Sequence, residues 1–324
     1  SMLARGTVVI DGAPPLRRRP IGALVSSLRS LGASVTSTSG RAPISVRAPG
    51  LVGGEVSVDA GESSQFATAL LLVAPCAERD LTLRVSNLSA GGYVALTLEA
   101  MRRFGAFVSD LGGGRYEVSA AGRYRGRREP VEYDASSAAH LFSLAMATGG
   151  DVTVTNAAPS LQPDASVVDH LAAMGARVDT PAAGGLRVRA PSVLAPIQAD
   201  LSGMPDQLPT LAVLAALAPG RSRISGLAVS RGHETDRVAA VARELSKLGV
   251  GTETGPDWIE ITGGKRLGPG IVETYEDHRM AMAFSALGAG APGIVILDPS
   301  CITKTYPGFL DDAGSLGLGV RLAR

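Results

Sequence analysis

The chain repeats itself, and that repetition limits its possible folds more than any single motif does. Five times an apolar stretch at helical spacing runs into a glycine and then into a short extended stretch: LRSLGASV, MRRFGAFV, LAAMGARV, LSKLGVGT and GSLGLGVRL. The glycines are Gly32, Gly105, Gly175, Gly249 and Gly317, spaced 73, 70, 74 and 68 residues apart. A steady period marks one supersecondary unit copied along a chain. Each glycine falls where a helix end needs a left-handed residue, a conformation glycine adopts at little cost.

Other landmarks keep step with the glycines. Short alternating strands are expected at Ile44-Ser45-Val46, Tyr116-Glu117-Val118, Leu186-Arg187-Val188 and Ile259-Glu260-Ile261. Second helices follow, beginning near Ser63, Ser136, Asp206 and Asp277, with bodies QFATALLLVA, AAHLFSLAMAT, LPTLAVLAALA and MAMAFSALGA. These are apolar almost all round, the mark of a buried helix. The helix before each glycine is more amphipathic: Ile21, Leu24, Val25, Leu28 and Leu31 share a face, and Pro20 suits a first turn. One unit therefore reads helix, strand, strand, buried helix, strand. The whole is an α/β chain of two lobes, which 324 residues are enough to fill.

Composition excludes several classes of function. With 45% hydrophobic and 19% charged residues the chain is globular. A net charge of +1 without a basic stripe argues against nucleic acid. Cys76 and Cys301 stand apart, outside any CxxC pair, which suggests a reducing compartment and no structural metal. No apolar run approaches the ~20 residues of a membrane span. Ser1-Met2-Leu3 resembles a cloning remnant before an initiator more than a signal peptide. The expectation is a cytoplasmic enzyme or binding protein.

Polar residues gather where the buried helices begin: Glu62-Ser63-Ser64-Gln65, Asp134-Ala135-Ser136-Ser137, Asp206-Gln207 and Asp277-His278-Arg279. N-capping accounts for most of Asp134 and Ser136 and part of Asp277. It does not account for Gln65 or for Arg279, whose charge opposes the helix dipole unless an anion shares the site. A second set precedes the amphipathic helices: Arg19-Pro20, His233-Glu234-Thr235-Asp236-Arg237 and Lys304-Thr305-Tyr306-Pro307. Taken singly, each is most simply a solvated charge. In register, Arg19, Arg237, Arg279 and Lys304 suit a substrate bearing phosphate and carboxylate, with Asp206 and Glu234 placed for proton transfer. His140 and His170 read as packing or surface residues, and His278 as an orienting group. Gly112-Gly113-Gly114 lacks the GK[ST] of a phosphate loop and reads as a turn.

The strings GESSQFATALLL, HETDR, EDHRMAM and DPSCITKTYP, in this order, resemble the 5-enolpyruvylshikimate-3-phosphate synthases of the shikimate pathway. The likeness runs over essentially the whole chain. It implies two lobes of repeated βαβαββ units, an inverse α/β barrel-like fold, with boundaries expected at 1–133 and 134–324. The sister UDP-N-acetylglucosamine enolpyruvyl transferases use a loop cysteine, a position that neither Cys76 nor Cys301 occupies. The resemblance further implies transfer of the enolpyruvyl group of phosphoenolpyruvate to the 5-hydroxyl of shikimate 3-phosphate, with neither metal nor organic cofactor. Carried over residue by residue, Ser63, Ser64, Gln65, Tyr93, Asp206 and His233 would bind shikimate 3-phosphate. Arg19, Gln65, Arg237, Arg279 and Lys304 would bind phosphoenolpyruvate. Asp206 would take the 5-hydroxyl proton, and Glu234 would help protonate the methylene carbon.

Three departures accompany the likeness. His233 stands where many members have lysine, so its charge would depend on pH. In Ser89-Ala90-Gly91-Gly92-Tyr93 the substrate serine is displaced by one, so Ser89 is not carried over. The family's Pro-Gly-Ser-Lys-Ser and Gly-Thr-Ala segments have no counterpart, and five glycine-ended helices stand where two lobes of three need six. The expectation is an incomplete first lobe in a chain lacking an amino-terminal portion, whose own activity would then be in question. A family monomer would here tend to self-associate, because strand edges are left uncovered. The alternatives are a short paralogue performing another addition or elimination, and a non-catalytic subunit completed by a partner chain.

Overall fold

The computed structural model describes residues 1–324 except 5, 49, 320 and 322–324. Two compact units divide the chain, Ser1–Pro130 and Val131–Arg324. The first contains β1 (Thr7–Ile10), α1 (Pro14–Arg18), α2 (Gly22–Ser30), β2 (Ser34–Thr38), β3 (Arg41–Arg47), β4 (Gly54–Asp59), α3 (Gln65–Val73), β5 (Leu81–Ser86), α4 (Gly92–Arg103), β6 (Phe107–Asp110) and β7 (Arg115–Ser119). The second contains α5 (Ala135–Thr148), β8 (Asp151–Val154), α6 (Val167–Ala173), β9 (Arg177–Asp179), β10 (Leu186–Arg189), β11 (Gln198–Asp200), α7 (Leu208–Leu217), β12 (Gly220–Ser225), α8 (Arg237–Lys247), β13 (Gly251–Thr254), β14 (Ile259–Gly263), β15 (Gly270–Val272), α9 (His278–Gly290), β16 (Ile294–Ile296) and α10 (Phe309–Ser315).

The repeat is real at the level of individual hydrogen bonds. All five glycines are left-handed, with φ of 89° at Gly32 and Gly105, 101° at Gly175, 87° at Gly249 and 95° at Gly317. After each, the next amide reaches back five residues to a helical carbonyl: Ala33 to Leu28, Ala106 to Met101, Ala176 to Leu171, Val250 to Leu245 and Leu318 to Ala313. This is the Schellman closure, and an apolar pair flanks the bond every time. The extended stretch expected beyond Gly317 reaches residues 320 and 322, which lie outside the described residues.

The unit is richer than its expected outline. Between α4 and α5 there are only β6 and β7, but in the other three of the four copies three strands rather than two lie between the helices, because β4, β11 and β15 come before the buried helices. Each pairs in parallel with the strand after its helix: β4 with β5, β11 with β12, and β15 with β16. Two sheets carry the complete pattern βαβαββ, with strand orders β4-β5-β7-β6 and β11-β12-β14-β13. The sheets β1-β3-β2 and β8-β10-β9 have the last three strands of that order. Parallel pairing needs a long crossover, and the buried helix supplies it.

Burial follows from composition. Every residue of α7 from Leu208 to Ala216 is fully buried, as its all-round apolar sequence requires. It packs with α5 and α9 at the centre of the second unit. Removing any one of its leucine side chains would cost about 2–5 kcal/mol. The first unit's own core joins Phe66, Leu70 and Leu71 of α3 to Val94, Leu98 and Met101 of α4. Among the described residues no helix is long and apolar enough to cross a membrane.

Candidate active site

In the second unit the polar residues at the helix starts converge on one guanidinium. Arg237 opens α8, whose N-cap Asp236 accepts from the Ala239 amide at 3.0 Å. The Arg237 side chain is 1% exposed, and all its N–H groups point at partners. Nε donates to Asp277 Oδ2 at 2.7 Å. Nη1 donates to Asp206 Oδ1 at 2.5 Å and lies 2.9 Å from His233 Nδ1. Nη2 donates to Glu234 Oε2 at 2.8 Å and, more weakly, to Asp277 Oδ1 at 3.4 Å. Arginine has five N–H donors, so this one is saturated by the protein's own acceptors. Burial works against its charge, but Asp277 and Asp206 outweigh that and hold its pKa above the usual value.

Asp206 is the second node. It lies in the 3₁₀ turn Pro205–Gln207 that leads into α7. Arg237 holds Oδ1, and Arg279 Nη2 holds Oδ2 at 2.9 Å. Burial alone would raise its pKa, yet the charges of Arg279 and Arg237 drive it well below the ordinary carboxylate range. The anion that accompanies Arg279 at the start of α9 is therefore the protein's own Asp206. Asp277 does two jobs: it caps α9 through the Arg279 amide at 2.9 Å and anchors Arg237. Only the first of these was legible beforehand, because a cap is local and an ion pair across 40 residues is not. Lys304 closes the 3₁₀ turn Pro299–Lys304 and donates to the Glu276 carbonyl at 2.7 Å. His278 is buried, its Nδ1 meets no hydrogen-bond partner, and burial, helped by the Arg279 charge, depresses its pKa.

The expected residues of the first unit lie at helix starts as well. Ser63 Oγ accepts from the Gln65 amide at 3.2 Å, Ser64 is buried, and Gln65 is exposed at the start of α3. Tyr93 lies in the first turn of α4, half-buried. The two helices are tied by Thr68 and Thr97, whose hydroxyls are 3.2 Å apart. Ser89, set aside on sequence, donates to the Ala60 carbonyl at 3.0 Å and braces this loop. Arg19 ends α1 and is half-buried.

Repeated α/β units, with acids clamped on guanidinium groups where helices begin, define an anion-handling enzyme of the repeat-built α/β type. The family model for EPSP synthase (3-phosphoshikimate 1-carboxyvinyltransferase) matches residues 1–313. The 3-phosphoshikimate 1-carboxyvinyltransferase of Syntrophobacter fumaroxidans is 43% identical over 309 residues, 94% of this chain and 73% of that protein. The one from Methanoculleus marisnigri is 39% identical over 324 residues, covering 98% and 76%. A solved EPSP synthase from Acinetobacter baumannii superposes with a TM-score of 0.80 at 25% identity, over all of this chain and 76% of that one. The chain belongs to the EPSP synthase family, enzymes that transfer an enolpyruvyl group from phosphoenolpyruvate to shikimate 3-phosphate in aromatic amino acid biosynthesis.

Proposed function

We propose that this chain carries out the family reaction, joining the 5-hydroxyl of shikimate 3-phosphate to phosphoenolpyruvate with release of phosphate. The observation that carries the reading is the double clamp on Asp206, with Glu234 on the same guanidinium. In the addition step the 5-hydroxyl oxygen bonds to C2 of phosphoenolpyruvate and gives its proton to Asp206. A proton assisted by Glu234 goes to C3, which becomes a methyl group. In the elimination step that methyl group loses a proton, the C2–O bond to phosphate breaks, and the double bond re-forms.

The clamp supplies a logic for the order of events. A carboxylate shared by two guanidinium groups is a weak base. Phosphoenolpyruvate brings phosphate and carboxylate, which compete with Asp206 for Arg237 and Arg279. As those cations turn to the substrate, Asp206 regains proton affinity when it is needed. Lys304 adds a third cation, and preorganised charge is the main source of rate. On the same reading Ser63, Ser64, Gln65 and Tyr93 of the first unit bind shikimate 3-phosphate with His233, and Arg19 and Gln65 contribute to phosphoenolpyruvate. β1 and β8 are terminal strands of their sheets, and a strand edge left without a partner favours self-association, which light scattering checks; the family's usual compartment is the cytoplasm.

The test is calorimetric titration of shikimate 3-phosphate, followed by phosphoenolpyruvate and an assay of released phosphate in the same sample. Release that falls about 10²–10⁴-fold in D206N, with the fold intact, is the expected result. Failure to bind either substrate would sink the reading. Binding without release would locate the catalytic acid outside these residues.

A further inference from the structure

The turn that leads into α9 is strained. Asp277 N–H bonds the Thr274 carbonyl at 2.8 Å, which closes a four-residue turn. Its central residues Tyr275 and Glu276 have φ of 55° and 57°. Two successive left-handed residues make a type I′ turn, which normally takes glycine or asparagine. They are the one consecutive non-glycine pair with positive φ among the described residues. Tyrosine and glutamate adopt that conformation only when something holds them there.

The cations of the proposed site hang from this turn. The Glu276 carbonyl holds the Lys304 ammonium at 2.7 Å. Asp277 holds Arg237 Nε at 2.7 Å and the Arg279 amide at 2.9 Å. A rotation of the Tyr275–Glu276 peptides would therefore displace Lys304 directly, and Arg237 and Arg279 through Asp277.

The holding group is on α8. Glu244 is fully buried, seven residues after Arg237 and so on the same helix face. Its carboxylate accepts a short hydrogen bond from the Tyr275 hydroxyl, another from the Glu273 amide at 3.1 Å, and one from Lys247 Nζ at 2.9 Å. The Arg243 guanidinium lies 6.0 Å from the centre of the Tyr275 ring. One face of α8 thus grips the loop at two points, Arg237 on Asp277 and Glu244 on Tyr275.

We propose that Glu244, through Tyr275, is a positioning residue for the phosphoenolpyruvate end of the site: it keeps the strained Tyr275–Glu276 turn in the form that presents Lys304, Arg237 and Arg279. This rests on the proposed function. A buried glutamate that served only the core would need no strained partner. Here the group it grips is the first of the two strained residues.

The test uses the full chain and the variants Y275F, E244Q and Y275F/E276G. Y275F should raise the KM for phosphoenolpyruvate about tenfold, the scale of one charge-assisted hydrogen bond, with kcat nearly unchanged. E244Q should act in the same direction. Adding E276G to Y275F relieves the strain, because glycine is at ease with positive φ, and should restore most of the KM. A second readout needs no turnover: amide exchange at Asp277, which donates the turn's closing bond, should quicken about tenfold in Y275F and slow again in the double variant. A lower melting temperature with KM and Asp277 exchange unchanged would make Glu244 a core residue only and overturn the proposal. So would a Y275F defect that E276G does not repair. If the wild-type chain binds neither substrate, the functional reading fails, and Asp277 exchange alone then decides the clasp; if it binds without releasing phosphate, the Kd for phosphoenolpyruvate replaces KM as the readout.

Discussion

Arg237 and Lys304 are both cations of the proposed site, but their energetic situations are opposite. Arg237 is buried among three carboxylates, one of them the fully buried Asp277. R237A takes this counter-charge from the buried Asp277 and leaves Asp206 to Arg279, and should destabilise the second unit by about 3–5 kcal/mol. K304A removes an exposed ammonium held by one carbonyl. It should change stability by less than about 0.5 kcal/mol while weakening phosphoenolpyruvate binding. Urea melts beside substrate titrations separate the two, and equal stability losses would contradict the contrast. His140 adds a pH dependence. It is fully buried on α5, edge-on to Phe309 with ring centres 6.5 Å apart, and Nδ1 is 3.5 Å from Thr210 Oγ1. Burial first, then the charges of Arg279 and His278, hold its pKa well below 6.5. Below that pH the unfolded chain binds a proton on this ring that the folded chain refuses. Its contribution to stability is thus whole above about pH 6.5 and is lost as pH falls. H140L should flatten the pH–stability curve below that point by up to about 1.4 kcal/mol per pH unit. An unchanged slope would count against it.

At the scale of elements, the repeated helix stop gives a clean experiment. A Cβ added at Gly32, Gly249 or Gly317 would meet nothing within 4 Å, so only backbone strain opposes alanine there. G32A, G249A and G317A should each cost about 1 kcal/mol in chemical denaturation, nearly the same value in every copy. G226A should cost clearly more, since its Cβ would collide with the Asp200 carboxylate and the Ser202 amide. A scattered set of costs at the first three positions would mean that the copies are not equivalent. The same contrast explains what could be read from sequence. A glycine forced left-handed by a local closure leaves its mark in adjacent residues, so five stops were legible. β4, β11 and β15 were not: β11 and β15 have three residues, too few for alternation, and the parallel partners of all three lie across a whole helix. The charged residues at helix starts stood out against apolar surroundings. Glu244 did not: Lys247 three residues on makes it look like an ordinary solvated pair.

At the scale of the whole molecule, each unit draws its core from its own residues: Phe66, Leu70, Leu98 and Met101 in the first, and Phe142, Leu211, Leu214 and Phe284 in the second. From Arg123 to Asp134 the chain has neither helix nor strand, and Val131 is 96% exposed. Arg123, Arg125, Arg127 and Arg128 are all exposed in this stretch. Brief trypsin treatment should cut here before anywhere else and leave two resistant fragments, read by mass spectrometry. A first cut inside either unit would contradict this division.

The saturated guanidinium has a consequence for kinetics. Across the second-unit cluster Asp206, Glu234 and Asp277 balance Arg237, Arg279 and Lys304, three charges against three. A neutral cluster projects little field beyond a Debye length, about 8 Å at physiological ionic strength. Its own charges cannot funnel a distant anion inward as a positive patch would. Capture by this half of the site should therefore depend only weakly on salt. Selectivity would arise at contact, where only an anion able to satisfy two guanidinium groups can displace Asp206.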